Sequence, residues 1–326
     1  MPKSQVFVTR TIPDAGLELI RTVSDAEIWD GDVPPPYEIL LEKLVGRDGL
    51  VCLLTDRING ELMDAAGDSL RVISQMAAGF DNIDVPAATE RGIPVGNTPG
   101  VLTDTTADFA FTLLMSAARR VVEGERYVKD GKWVTWGPTL FMGQDIHGAT
   151  LGLVGLGRIG KGMARRASGF GMRVIYSDPI VDEAEAKELG AEAYEFDDLL
   201  AEADFVSLHV PLTPETTHLM GEKEFKKMKS SAILINTARG PAVDPDALYQ
   251  ALKEGEIAYA ALDVTEPEPI SVDDPLLTLD NCLIVPHIAS SSLATRSRMA
   301  VMAAENLEAG LNGERLPNCV NPEVYA

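Results

Sequence analysis

The feature that most limits what this chain can fold into is a glycine turn with a strand before it and a helix after it. In LGLVGLGRIGKGMARRASGF, residues 151–170, a short apolar run ends on glycines at 155, 157 and 160, and an amphipathic segment follows at once. A chain that leaves a strand through such a turn and enters a helix begins a βαβ unit, whose next strand must run parallel to the first. Further strand-like runs follow at suitable spacing: RVIYS (173–177), FVSLHV (205–210), AILIN (232–236), YAALDV (259–264) and CLIVP (282–286). They are almost continuously apolar, which predicts a parallel sheet covered on both faces. Between two of them, DPDALYQALKEG carries helix signals. Asp244 can cap, Pro245 suits the first turn, Leu248 and Leu252 share a face, and Gly255 can end it.

The first hundred residues repeat this pattern more weakly in VFVT, GLVCLL, RVISQMA and IPVGN. The expectation is an α/β protein of two Rossmann-like doubly wound parallel-sheet domains, the larger binding a dinucleotide and the smaller flavodoxin-like. The smaller takes residues 1–99 with 288–326, and the larger 100–287. A long amphipathic segment, 103–131, leads from one domain into the other, and a helix near 295–313 returns.

A length of 326 residues is ample for two cores. The formal net charge of −22 disfavours nucleic acid and anionic membranes as partners, and it leaves open whether the acidity reflects solubility or a salty cytosol. There is no apolar run of membrane-spanning length and no signal-peptide core, so a cytoplasmic protein is expected. Cys52, Cys282 and Cys319 lie far apart, with neither disulfide nor zinc spacing, and no metal is expected.

The glycine turn assigns a ligand class. Gly155 makes the tight turn, Gly157 lets the backbone approach a pyrophosphate, and Gly160 allows close packing. The N–H groups of Arg158 and Ile159 then face the phosphates from the helix start. Asp178 ends the next strand 21 residues after Gly157, where an acid accepts hydrogen bonds from ribose hydroxyls and points to NAD, with NADH preferred over NADPH. Its alternative role is a turn residue before Pro179.

Ligands of open α/β sheets sit at the carboxyl ends of the strands. Three later strands deliver an ionisable residue there: Arg239 after AILINTA, Glu268 after YAALDV, and His287 after CLIVP. A guanidinium grips a carboxylate with two parallel hydrogen bonds, an imidazole gives a proton to a carbonyl oxygen, and an acid keeps that imidazole charged and oriented. Together they suit reduction of a 2-keto acid beside a nicotinamide.

These motifs resemble the D-isomer-specific 2-hydroxyacid dehydrogenase family, and within it the glyoxylate/hydroxypyruvate reductases. The stretches AAGFDNIDVPAATERGIPVGNTPG, GLVGLGRIGKG, HVPLTPETTHLM, ILINTARGPAVD, ALDVTEPEP and VPHIASSS carry the likeness over nearly the whole chain. The resemblance implies that Arg239, Glu268 and His287 are catalytic, with Glu266 the surface-acid alternative to Glu268. It implies substrate contacts at Leu53, Ala78 and Gly79. Cofactor contacts follow at Thr106, Val210, Pro211, Thr216, Thr237 and Asp263, the last also able to cap a turn. It implies a homodimer whose arm brings Trp136, Leu140 or Phe141 to the neighbour, although core packing is the commoner fate of such residues. His147, His209 and His218 carry no catalytic pattern. Phosphoglycerate dehydrogenases, D-lactate-type dehydrogenases and NAD-sensing corepressors are the alternatives.

Overall fold

The computed structural model describes residues 3–326. The chain divides into two compact units, one formed by residues 1–102 with Ser291–Ala326 and the other by Thr103–Ser290. The crossings expected from the sequence are at 99 and 287. The first crossing coincides with the start of the helix Thr103–Ala118, and the second lies just before Ser292, which caps the helix Leu293–Leu311 by accepting from the Thr295 N–H.

The smaller unit holds five parallel strands, β1 (Ser4–Val8), β2 (Ser24–Ile28), β3 (Gly49–Cys52), β4 (Val72–Gln75) and β5 (Val95–Gly96), in the order β2-β1-β3-β4-β5. That is the flavodoxin-like order. The larger unit holds seven: β6 (Thr150–Val154), β7 (Arg173–Ser177), β8 (Ala191–Ala193), β9 (Phe205–Leu208), β10 (Ile233–Asn236), β11 (Tyr259–Leu262) and β12 (Cys282–Ile284). Their order is β12-β11-β10-β9-β6-β7-β8, all parallel. The order in which strands are added reverses between β6 and β9, the chain going from β6 outward to β8 and then back to β9 on the other side, and this is the switch point where such sheets bind ligands.

Burial explains the apolar strands. Leu151, Leu153, Phe205, Ile233, Ile235 and Ala261 pack on one face of the larger sheet, while Val154, Val206, Leu208, Leu234, Ala260 and Leu262 pack on the other. The helix Pro245–Glu254 forms as its signals predict: both the Asp246 and Ala247 N–H groups donate to Asp244, and Gly255 closes it in the left-handed conformation, φ 75°.

The expected long helix of residues 103–131 is instead two helices, Thr103–Ala118 and Val121–Lys129. Arg120 between them is left-handed at φ 51°, and its guanidinium pairs with Glu123 at 2.7 Å. The break releases the Ala118 carbonyl from helical pairing, and the Gln144 N–H donates to it at 2.8 Å. Amphipathic periodicity runs through this bend because both halves keep an apolar side.

Candidate active site

The glycine turn at the carboxyl end of β6 is held from two sides. The Gly155 N–H donates to the Ser177 carbonyl at 2.9 Å, and the Leu156 N–H donates to Asp178 Oδ2 at 2.8 Å. Gly155 has φ 91°, and a Cβ there would stand 2.8 Å from the His209 carbonyl oxygen. A Cβ on Gly160 would come within 2.4 Å of the Gly155 carbonyl oxygen, so the first turn of the helix Arg158–Gly169 lies flat against the glycine turn. At Gly157, by contrast, a Cβ would meet nothing within 4 Å, so packing inside the unit does not demand glycine there. It precedes the helix start, where the N–H groups of Arg158 and Ile159 have no intrahelical acceptor.

Asp178 also accepts from the Ile180 N–H through its second oxygen, at 2.9 Å, so the turn role and an acid at the end of β7 coexist in one residue. A cavity of about 630 Å³ opens at the ends of β7 and β8, lined by Tyr176, Asp178, Pro179, Glu183, Tyr194 and Asp198.

At the ends of β10, β11 and β12 the expected ionisable residues are built into interlocking loops. Asn236 staples the first loop: its amide donates to the Arg239 carbonyl at 2.8 Å and accepts from the Ala238 N–H at 3.0 Å. The Arg239 guanidinium donates to the Ala238 carbonyl at 2.8 Å. Gly240 then lies flush on the next loop, since a Cβ there would stand 1.8 Å from the Thr265 carbonyl oxygen. Only glycine permits that approach, and the loop it touches carries Glu268 three residues on.

Glu268 Oε1 is 2.5 Å from His287 Nδ1, with the two side chains 32% and 25% exposed. His287 is itself left-handed, φ 52°, and its N–H donates to the Asp263 carbonyl at 2.9 Å. Asp263 is 1% exposed, and its two oxygens accept from the Ile288 and Ala289 N–H groups at 2.6 and 2.9 Å. Burial pushes this carboxyl's pKa up, and the two N–H bonds oppose that. The turn-capping alternative is thus what Asp263 does in this fold, and through it the His287 loop is anchored to the end of β11.

The remaining expected contacts lie in both units. Val210 and Pro211 follow β9. Thr216 donates to the Pro211 carbonyl at 2.6 Å and accepts from the Thr213 N–H at 2.8 Å, which closes that loop. Thr106 is buried in the first turn of the helix Thr103–Ala118. The Thr237 hydroxyl is buried, and its oxygen has no hydrogen-bond partner among the described residues. Leu53, Ala78 and Gly79 lie in the smaller unit, after β3 and β4. Trp136 is 78% exposed, Leu140 is exposed as well, and Phe141 packs edge-on against Tyr127.

One pairing was not legible in the sequence. His218 Nε2 stands 2.8 Å from Glu266 Oε2, and the His218 N–H donates to the Pro241 carbonyl at 2.7 Å. His218 carries no catalytic pattern in the sequence, and Glu266 is there the surface-acid alternative to Glu268. The two are 48 positions apart with no motif joining them, so only the folded loops bring them together.

The model for the D-isomer specific 2-hydroxyacid dehydrogenase NAD-binding domain matches residues 111–289. Over 323 residues, 99% of this chain and 97% of the relative, the chain is 57% identical to a glyoxylate reductase of Korarchaeum cryptofilum. Among solved structures, a protein from Thermus thermophilus superposes with a TM-score of 0.91 at 47% identity, covering 97% of this chain and 99% of that one. An NADPH-dependent glyoxylate/hydroxypyruvate reductase of Sinorhizobium meliloti, solved with NADP and malonate, superposes with a TM-score of 0.87 at 30% identity, covering 98% and 97%.

The chain belongs to the D-isomer-specific 2-hydroxyacid dehydrogenase family. It is an enzyme with a nicotinamide-dinucleotide-binding domain, acting on a small molecule. The open face at Gly157 and the unpartnered, buried Thr237 hydroxyl both fit that cofactor, the first for a close backbone approach and the second as a polar atom awaiting a partner. No helix among the described residues is long and apolar enough to cross a membrane.

Proposed function

We propose that this enzyme reduces a short, unbranched 2-keto acid, glyoxylate or hydroxypyruvate, to the D-2-hydroxy acid, with NADH preferred. The observation that carries the reading is the 2.5 Å contact between Glu268 Oε1 and His287 Nδ1. With Nδ1 engaged, Nε2 is the ring atom left for the substrate, and a charged imidazole donates its proton from there to the carbonyl oxygen. Glu268 fixes the ring through Nδ1. Arg239 binds the substrate carboxylate through its guanidinium, so a chain of net charge −22 can hold a small anion by direct contact. The backbone at Ala78 and Gly79 is assigned to the substrate carboxylate, and Leu53 to the rest of the substrate. The reduced nicotinamide supplies the hydride.

Asp178 favours NADH because a carboxylate at the end of β7 accepts from the ribose hydroxyls and repels a 2′-phosphate. The S. meliloti relative is NADPH-dependent, and in this chain the acid at the end of β7 is what favours NADH. Thr106, Val210, Pro211, Thr216 and Thr237 are assigned to the cofactor, with Asp263 supporting from the His287 loop. A homodimer is part of the proposal. Val121, Val128, Trp133, Val134, Trp136 and Met142 are all more than half exposed within one stretch, an apolar surface that a second copy would cover. Three cysteines without disulfides agree with a cytoplasmic protein.

A steady-state panel tests the reading: glyoxylate, hydroxypyruvate, pyruvate and 3-phosphohydroxypyruvate, each with NADH and NADPH. The highest kcat/KM is expected with glyoxylate or hydroxypyruvate and NADH. A highest value with the phosphorylated acid makes the protein a phosphoglycerate dehydrogenase, and tight NADH binding without turnover makes it a cofactor-sensing binding protein.

A further inference from the structure

We propose that Gln75 and Asn97, two buried side-chain amides of the smaller unit, are positioning residues that, together with the Thr98 N–H, turn three successive backbone N–H groups toward the substrate carboxylate. The inference rests on the reading above that the Ala78–Gly79 backbone receives that carboxylate, and it names what makes the backbone fit to do so.

After β4 the chain runs through Met76, Ala77, Ala78, Gly79 and Phe80. Three consecutive carbonyls of this loop are held from the protein side. The Ala77 carbonyl accepts from the Thr98 N–H at 2.9 Å, the Ala78 carbonyl from Asn97 Nδ2 at 2.7 Å, and the Gly79 carbonyl from Gln75 Nε2 at 2.7 Å. In a trans peptide the N–H points opposite to the C=O of the same plane. Fixing these three carbonyls therefore turns the N–H groups of Ala78, Gly79 and Phe80 away from the groups that hold them. None of those three N–H groups has a hydrogen-bond partner among the described residues, and all three residues reach the surface. Successive N–H groups left open at the surface are the donors from which an anion-binding concavity is built.

The amides that set this arrangement are themselves fixed. Gln75 is fully buried and forms a reciprocal pair with Asn82: Gln75 Nε2 donates to Asn82 Oδ1 at 2.7 Å, and Asn82 Nδ2 donates back to Gln75 Oε1 at 2.9 Å. Asn82 Nδ2 also lies 2.8 Å from the Asp56 carbonyl and 3.1 Å from that of Leu53. Asp56 in turn accepts from the Leu53 N–H at 2.8 Å. Asn97 is 8% exposed, and its backbone is held by Asn306 Nδ2 and the Asn318 carbonyl. One buried network thus fixes both the Leu53 loop and the Ala78–Gly79 loop. Amides suit the task because they donate to a carbonyl without bringing negative charge near a bound anion; a carboxylate at either position would do the reverse.

The test uses Gln75→Met and Asn97→Leu, which keep approximate shape and remove the donor. Each should raise the glyoxylate KM about tenfold, the equivalent of one hydrogen bond's worth of orientation. The kcat should fall less than about threefold and NADH affinity, read by fluorescence titration, should stay within about twofold, since neither residue is assigned to hydride or proton transfer. A role confined to folding would instead lower the melting temperature and the active fraction while leaving the KM of the active fraction unchanged, and that result overturns the inference. If either variant fails to fold, the intact enzyme decides: with glycine labelled by ¹⁵N, adding oxalate to the NADH complex should shift the Gly79 N–H resonance, and an unmoved resonance overturns the inference. An enzyme that reduces no 2-keto acid refutes the functional reading. Normal turnover with unmoved KM in both variants refutes this inference alone.

Discussion

His287 Nδ1 and Glu268 Oε1 lie 2.5 Å apart, and each comes from a loop that is separately anchored. The Glu268 loop rests on Gly240, and the His287 loop hangs on Asp263. Because the two anchors are independent, each can be loosened without touching the pair, and each gives its own prediction.

Replacing Glu268 by Gln keeps the shape of the pair but lets the partner atom be a donor or an acceptor, so the tautomer of His287 is no longer specified. Keto-acid reduction should slow by about 10²-fold in kcat, the low end of what a positioned proton donor contributes, with KM within about threefold. Single-turnover rates check this. Wild-type rates in the variant would make the contact incidental and return the role of partner to Glu266.

Gly240→Ala places a methyl 1.8 Å from the Thr265 carbonyl oxygen and 2.2 Å from its carbon, both backbone atoms. One loop has to shift, and the shift separates Arg239 from Glu268. A stability loss of about 1–3 kcal/mol is expected from the overpacking, together with a rise in KM and a fall in kcat. Denaturant melts and kinetics with glyoxylate measure both. An enzyme unchanged in both would mean that the two loops are free to part.

Asp263→Asn turns one acceptor into a donor that faces the N–H of Ile288 or Ala289. The lost bond and the orphaned N–H should cost about 1–3 kcal/mol. The kcat should drop with little change in KM, since His287 is loosened while Arg239 is untouched. Thermal melting and steady-state kinetics on one preparation separate this from a loss of cofactor affinity, which would appear in the KM for NADH.

His209 supplies the pH prediction. Burial pushes its imidazole pKa down to about 4, and its Nε2 lies 2.9 Å from the Ser207 hydroxyl. The unfolded chain therefore binds this proton at higher pH than the folded one. The stability conferred by a neutral His209 is fully present above about pH 6.5 and is lost as the pH falls from there toward 4. The loss amounts to at most about 3 kcal/mol, less in proportion to the part of the residue that reaches solvent. His209→Gln should flatten the decline of melting temperature between pH 6.5 and 4. Parallel curves for variant and parent would show that other groups carry the acid sensitivity.

The order of strands and helices, the glycine turn and the edge that carries Arg239, Glu268 and His287 were legible in the sequence because each is set by local rules. Apolar runs, caps and turn glycines act within a few residues of themselves. Two of the four edge strands, β2 and β8, escaped that reading. In β2, SDAEI, and β8, AEA, only one residue of each is buried, so their sequences are short and charged, as suits an exposed edge. The break at Arg120 was hidden for a related reason: the Gln144 N–H that takes the Ala118 carbonyl comes from 26 residues further along. Tertiary structure alone decided the pairing of His218 with Glu266, the seating of Gly240 on Thr265, and the three carbonyls held by Thr98, Asn97 and Gln75. Each joins groups that no periodicity relates. Hydrogen bonds between loops depend on where two strand ends finish in space, and that is set only when the whole sheet has packed.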